Sequence, residues 1–283
     1  MGLTQREQQE VASANESGRQ PVMFVHGLWL LAGSWDAWRG LFEERGYATL
    51  APGWPDDPDS VAEGRANPDA FAGKGVAEIT DHFGEAARQL TRPPAIIGHS
   101  FGGLITQKLA GEGLAAAAVA IDPAQMRGVL ALPLSTLKAS FPVLRNPANK
   151  SKAVMLTYEQ WRYAFANAVD EDEAKALYEQ YPVPGAGRPL FQAAFANFNP
   201  KAETAVDTSN ATRGPLLIIS GEVDHIVPKA VAHGAYKRYG KSTATTEFVE
   251  MSGRGHSLAL DSGWREVADT ALGFLEKSGV GPS

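Results

Sequence analysis

The chain has 283 residues, with 26 basic and 32 acidic side chains, and its formal charge of -6 excludes a basic nucleic-acid binder as the default reading. At 44% hydrophobic and 20% charged, with 12 Phe, 7 Tyr and 6 Trp, it has the material for a large buried core and not for a disordered chain. Cysteine is absent, which excludes disulfide scaffolding, thiolate catalysis and thiolate-held metal or iron-sulfur centres, so any nucleophile is an oxygen or a nitrogen.

Residues 1-20 form a polar N-terminal segment, MGLTQREQQEVASANESGRQ, without the apolar stretch of roughly 7 to 15 residues that a secretory signal requires. Glycine follows Met1, but Arg6 stands where a myristoylation pattern wants Ser or Thr. The longest uninterrupted apolar run, Leu114 to Ile121, has 8 residues, against roughly 20 for a membrane-spanning helix. A soluble, cytoplasmic protein with no membrane or nucleic-acid partner is expected.

From Pro21 onward, short β-favouring runs alternate with longer amphipathic segments, the pattern of crossover units around a mostly parallel central sheet with helices on both faces. The predicted strands are Val22 to His26, Ala48 to Leu50, Ala95 to Gly98, Ala116 to Asp122, Leu216 to Ser220 and Thr246 to Met251. Several lack strict apolar/polar alternation, as strands covered on both faces do. Val76, Ile79, Phe83, Ala86, Ala87 and Leu90 recur at helical steps, as do Trp264, Val267, Ala268, Ala271 and Leu275. Pro228 suits the first turn of a helix carrying Val231, Ala235 and Tyr239.

Residues 123-211 are too long for a simple connection and must hold structure of their own. Thr157 to Asn167, Glu171 to Tyr181 and Leu190 to Phe198 read as helices separated by prolines, with the acidic run Asp170 to Glu173 complementing a helix N-terminus. The domain reading is therefore a core of 21-122 and 212-283 interrupted by a helical insertion, 123-211.

The chemistry concentrates at strand ends. Gly98-His99-Ser100-Phe101-Gly102-Gly103 follows a predicted strand directly and opens a predicted helix, the context in which G-x-S-x-G has meaning. A serine hydroxyl is a weak nucleophile at neutral pH and needs a base within hydrogen-bond reach and an acid behind that base. Asp224 follows the strand at 216-220, and His256 follows the last strand. Both fall at carboxyl ends of parallel strands, where sites of open α/β sheets form. After the first strand, His26-Gly27-Leu28-Trp29 offers the Leu28 N-H, which with the Phe101 N-H makes a two-donor oxyanion hole.

On these motifs, in the chain order Ser, Asp, His, the sequence resembles the α/β-hydrolase superfamily over residues 21 to 277. It looks like the compact bacterial hydrolases described as esterases, lactonases or non-haem peroxidases, with a helical cap inserted before the strand carrying the acid. The resemblance implies Ser100 as nucleophile, His256 as general base and acid, and Asp224 as the residue that orients the imidazole. Two departures stand out: the segment before Pro21 leaves little room for the family's first two strands, and Ala51-Pro52-Gly53-Trp54-Pro55-Asp56-Asp57-Pro58 replaces a turn common in relatives.

Other residues have plainer readings. Asp122 is the rival acid, since some relatives support the histidine from that position. His26 reads as a structural partner of the oxyanion loop, His99 as the variable elbow residue, and His82 and His233 as members of solvated helix faces. His225 competes with no identified role. No metal-ligand cluster or phosphate-binding loop is present in the pattern, and no cofactor is implied. Trp29, Trp161, Tyr163, Phe165, Phe191 and Phe195 are candidates for an apolar acyl pocket, with Trp29, Trp161 and Phe165 put forward as substrate-binding residues. The expected activity is hydrolysis of small to medium apolar carboxylic esters through an acyl-enzyme. The same triad could serve a lactone, a thioester, a carbon-carbon bond or peracid formation, and a ligand-binding protein with vestigial turnover is the non-enzymatic alternative. The sequence does not distinguish monomer from homodimer.

Overall fold

The computed structural model describes residues 2-282. Six strands form one parallel sheet: β1 (Pro21–Val25), β2 (Ala48–Leu50), β3 (Ala95–His99), β4 (Ala117–Ile121), β7 (Leu216–Gly221) and β8 (Thr246–Met251), in the order β2-β1-β3-β4-β7-β8. A separate antiparallel ribbon pairs β5 (Ala153–Val154) with β6 (Gly185–Ala186). The sheet begins at Pro21, so the two strands that the region before it had no room for are absent from the described residues.

Alternation along each strand feeds two cores. Met23, Val25, Ile96, Ala118, Ala120, Leu216 and Ile218 point to one face. There they meet α1 (Gln5–Ser17), α4 (Val76–Gln89), α5 (Phe101–Gly111) and α10 (Lys229–Arg238). Val22, Phe24, Ile97, Val119, Leu217 and Ile219 point to the other, against α2 (Asp36–Glu44) and α11 (Trp264–Lys277). On that second face Phe24 stacks on Trp35 and meets Trp38 and Phe42 edge-on. Each such buried ring contributes about 1.5 to 3 kcal/mol. β8, at the end of the sheet, is the only main-sheet strand left half-exposed along most of its length.

The N-terminal segment, expected only to be polar, contains the helix α1. Thr4 and Glu7 form a reciprocal capping box, and Gly18 ends the helix with φ +65°. The other Glu7 oxygen accepts from Gly53 N at 3.0 Å and from His82 Nε2 at 3.1 Å. His82 is therefore buried between α1 and α4, not on a solvated face. His233 is half-buried, stacked on Tyr236 and edge-on to Phe248.

Between β2 and β3 a short helix α3 (Val61–Ala66) precedes α4. Between β4 and β7 lie α6 (Leu134–Leu144), α7 (Tyr158–Ala164), α8 (Glu171–Gln180) and α9 (Gly187–Ala194). The last three correspond to the three helices read from the sequence. Helix α6 carries Pro142 inside it, and its alternation of buried and exposed apolar residues hid its period.

Candidate active site

Strand register places the site. His99 pairs with Ile121, Ile121 with Ile219, and Gly221 with Met251, so the loops carrying Ser100, Asp122, Asp224 and His256 leave the sheet at one edge. Ser100 sits between β3 and α5 with φ +59°, a conformation costly for a residue with a Cβ. It is held there by its own backbone: the N-H donates to Ile121 O at 2.9 Å, and the carbonyl accepts from Leu104 N and Ala124 N. The turn leaves no room beside it. A Cβ at Gly102 would overlap the Val25 carbonyl, and one at Gly98 would overlap the Gly102 carbonyl.

Gly27 plays the same part on the facing loop, where an added Cβ would lie 2.9 Å from both the His99 carbonyl and the Ser100 Cβ. That approach brings the Leu28 backbone beside the Ser100 turn. Neither the Leu28 N-H nor the Phe101 N-H is bonded to another group among the described residues. The loop is braced from behind: His26 stacks on Trp54, and its Nε2 lies 3.1 Å from Asp57 Oδ2. The Asp57 carboxylate also accepts from Trp54 N. The Ala51 to Pro58 stretch thus supplies this brace.

Asp224 accepts from His256 Nδ1 at 2.6 Å through Oδ2, and from the backbone N-H groups of Ile226 and Val227 through Oδ1. Burial alone would raise its pKa, but the His256 ring and these N-H donors hold it below the ordinary carboxylate value. Asp122 Oδ2 ends 4.0 Å from the same nitrogen, while its Oδ1 accepts from Gly221 N at 2.7 Å. Burial, and then the negative charge of Asp224, push Asp122 well above the ordinary value. The two carboxyl groups are thus pushed in opposite directions: their surroundings favour the charged form of Asp224 and the neutral form of Asp122.

The far nitrogen of His256, Nε2, is buried and has no partner among the described residues. His99 packs beside His256, ring centroids 4.5 Å apart, and its Nε2-H donates to the His256 carbonyl at 2.9 Å. Burial and the His256 neighbour lower the His99 pKa well below the usual histidine value, so it remains neutral. One donor atom each from His99, Asp122 and His256 lie within 4.8 Å of one another. This set overlaps the His256-Asp224 pair and makes no centre separate from it.

Ser100 opens onto a cavity of about 270 Å³ whose lining is almost wholly apolar. Trp29 lines it, with φ +66° and its indole N-H donating to Val154 O in the β5-β6 ribbon. The other two proposed substrate residues do not reach it. Trp161 is fully buried and stacks on Phe165, whose ring meets His256 edge-on at 4.6 Å. Both rings are fully buried and neither lines the cavity.

The backbone around Phe165 is tied to the same loops. Phe165 O accepts from Ser257 N, Tyr163 O accepts from His225 Nδ1, and Asn167 Nδ2 donates to Val223 O.

The alpha/beta hydrolase family model matches residues 22–270. The chain belongs to the α/β hydrolase family. A search of curated proteins finds no match. Among solved structures, this hydrolase is similar to a monoacylglycerol lipase of Paleococcus ferrophilus: TM-score 0.66, 20% identity, 92% of this chain and 97% of that one covered. An extracellular α/β-hydrolase of a Paenibacillus species gives TM-score 0.66 at 19% identity, covering 90% and 98%. A thermophilic esterase of Thermogutta terrifontis gives 0.64 at 17%, covering 92% and 90%. At these identities the likeness is one of fold.

Several cavity residues of this α/β hydrolase escaped the sequence reading. Leu132, Leu137, Ser140 and Leu144 come from α6 and the loop before it, and Ile226 and Val227 follow Asp224. The spacing of Leu137 and Leu144 was the available signal, but Leu134 and Phe141, exposed on the same helix, blurred it. Phe195, among the aromatics considered, does line the cavity.

Proposed function

We propose that this α/β hydrolase is a serine esterase that cleaves carboxylic esters of small to medium apolar substrates through an acyl-enzyme. The observation that carries this reading is the 2.6 Å bond from His256 Nδ1 to Asp224, at the strand edge where Ser100 opens onto an apolar cavity. With Nδ1 fixed as a donor, Nε2 is left to accept the Ser100 proton. Ser100 Oγ attacks the ester carbonyl carbon, and the Leu28 and Phe101 N-H groups receive the resulting oxyanion. His256 returns the proton to the departing alcohol. A water, deprotonated by the same nitrogen, then releases the acid and frees Ser100.

The cavity suits an acyl group of modest length: its volume lies at the small end for ligand pockets, and apolar walls give an uncharged chain its burial energy. The reading requires no cofactor, and no described helix is long and apolar enough to cross a membrane.

The test is labelling of the purified protein with a fluorophosphonate, with the adduct located by peptide mass, alongside turnover of p-nitrophenyl esters. A single adduct on Ser100, lost in Ser100→Ala and strongly slowed in His256→Ala, is the expected result. Ester turnover that survives Ser100→Ala would overturn the assignment.

A further inference from the structure

The helices inserted between β4 and β7 expose apolar side chains around the cavity mouth. Leu130, Leu134, Phe141 and Phe198 are 80%, 84%, 60% and 85% exposed. Leu132, Leu137 and Phe195 are both exposed and part of the cavity lining, so this surface runs without interruption into the path to Ser100. Helix α6 is two-sided for this reason: Leu134, Lys138, Phe141 and Arg145 recur at three- and four-residue steps outward, while Ser140 and Leu144 turn inward. Helix α9 packs against α6, and Asn197, just beyond α9, bonds Gly128 N and Val129 O, which sets Phe195 and Phe198 beside Leu130. An apolar surface of this extent marks an interaction site.

Charge identifies the partner. In a chain of net charge -6, residues 123-158 contain Arg127, Lys138, Arg145, Lys150 and Lys152 and no Asp or Glu. All five are exposed, and none forms a salt bridge among the described residues. Glu159 flanks Lys138 in a shallow groove, and Glu203 is engaged by Arg188.

We propose that this face docks reversibly on an anionic lipid bilayer, so that ester substrates enter the cavity from the lipid phase. Exposed Leu and Phe enter the headgroup boundary, and the surrounding Lys and Arg meet anionic headgroups. Two copies of this chain meeting through the same face would set five cations that form no salt bridge, Lys138 among them over the Tyr163 ring, against the same five and close both cavity mouths, which disfavours a homodimer there. The expectation of no membrane partner rested on spanning segments and targeting signals, and neither reports on a surface of this kind. The substrate route rests on the esterase reading; the docking does not, and binding is measured without turnover.

The experiment is co-sedimentation of the full chain with vesicles of pure phosphatidylcholine and of phosphatidylcholine mixed with phosphatidylglycerol. Binding to the mixed vesicles should be at least about tenfold stronger and should weaken with added salt. Lys138→Glu with Arg145→Glu should weaken it by about 25-fold or more, since each basic residue near an anionic surface contributes about fivefold. Leu134→Glu with Phe141→Glu should abolish it. All four positions lie outside the cavity lining, so both double variants should keep wild-type turnover of a short, soluble ester, which also shows that they fold. No binding to either vesicle, equal binding to both, or unchanged binding of the Leu134/Phe141 variant would overturn the proposal. So would a concentration-dependent dimer that the same variant dissociates. Loss of fluorophosphonate labelling with docking intact would sink the esterase reading alone.

Discussion

Asp224 and Asp122 approach the same nitrogen of His256, one at 2.6 Å and the other at 4.0 Å, and their surroundings shift their pKa values in opposite directions. The nearer carboxylate is surrounded by N-H donors that favour its charged form, whereas the farther one, with a single backbone donor and Asp224 beside it, is pushed toward its neutral form. Two buried carboxyl groups in this position cannot both be charged at low cost, and the donors decide which one is.

Substitution separates their roles. Asp224→Asn should lower kcat/KM for a short ester by about 10³- to 10⁴-fold, because the amide no longer fixes the His256 tautomer or balances its charge. Asp122→Asn should leave kcat/KM within about threefold, since a neutral group replaces a neutral group and its carbonyl can still accept from Gly221 N. The reverse ranking in steady-state kinetics would make Asp122 the acid.

The raised pKa of Asp122 also has a stability signature. Above the unfolded-state value of about 4, folding must take up a proton at this site, so its contribution is complete below that pH and declines as pH rises toward the folded value. In urea melts, Asp122→Asn should gain on the wild type by up to about 1.4 kcal/mol per pH unit above pH 4, until the folded pKa is reached. Parallel stability curves for the two proteins would rule out a protonated Asp122.

Glu7 behaves in the opposite sense. Burial would raise its pKa, but bonds from His82 and Thr4 bring it from 4.5 down to about 2, so its stabilisation is present above pH 4.5 and is lost as pH falls toward 2. That difference corresponds to on the order of 3 kcal/mol as an upper bound. Glu7→Gln should therefore lower stability at pH 7 by roughly 2 to 3 kcal/mol, with the gap closing near pH 2. A gap that does not change with pH would mean that packing of α1, not the Glu7 charge, carries the effect.

Cavity shape makes a kinetic prediction. Ser140 is buried and lines the cavity. Ser140→Phe should fill much of the volume and reduce kcat/KM for an octanoyl ester by about tenfold or more relative to an acetyl ester. An unchanged octanoyl-to-acetyl ratio would place the acyl chain elsewhere.

The sheet was legible because its strands are short apolar runs at regular spacing, and the loops after them carried the motif residues in order. Ser100, Asp224 and His256 stood out for that reason. Asp224 was preferred to its rival Asp122 on chain order and resemblance, but the Ile226 and Val227 N-H groups that distinguish the two sites are revealed by no side-chain pattern. Helix α1 was missed because its few apolar contacts, Val11 and Ala14 among them, are outnumbered by polar residues, yet the Thr4-x-x-Glu7 pattern marked its start. His82 looked like a surface residue because its partner, Glu7, lies 75 positions away. Aromatic residues suggested a pocket, but Trp161 and Phe165 pack on each other and on His256, and aliphatic residues of α6 line much of it instead.

The three bonds that join residues 163-167 to the loops of Val223, His225 and Ser257 restrict how this hydrolase can be recombined with relatives. A chimera that exchanged the whole stretch 123-211 for a foreign one would strip these hydrogen-bond partners from both loops that carry Asp224 and His256. Moving the junctions so that Tyr163 to Asn167 remain native keeps those partners. The interchangeable part of the molecule is then the outer portion around α6 and α9, and substrate range can be exchanged there without disturbing the charge arrangement beneath it.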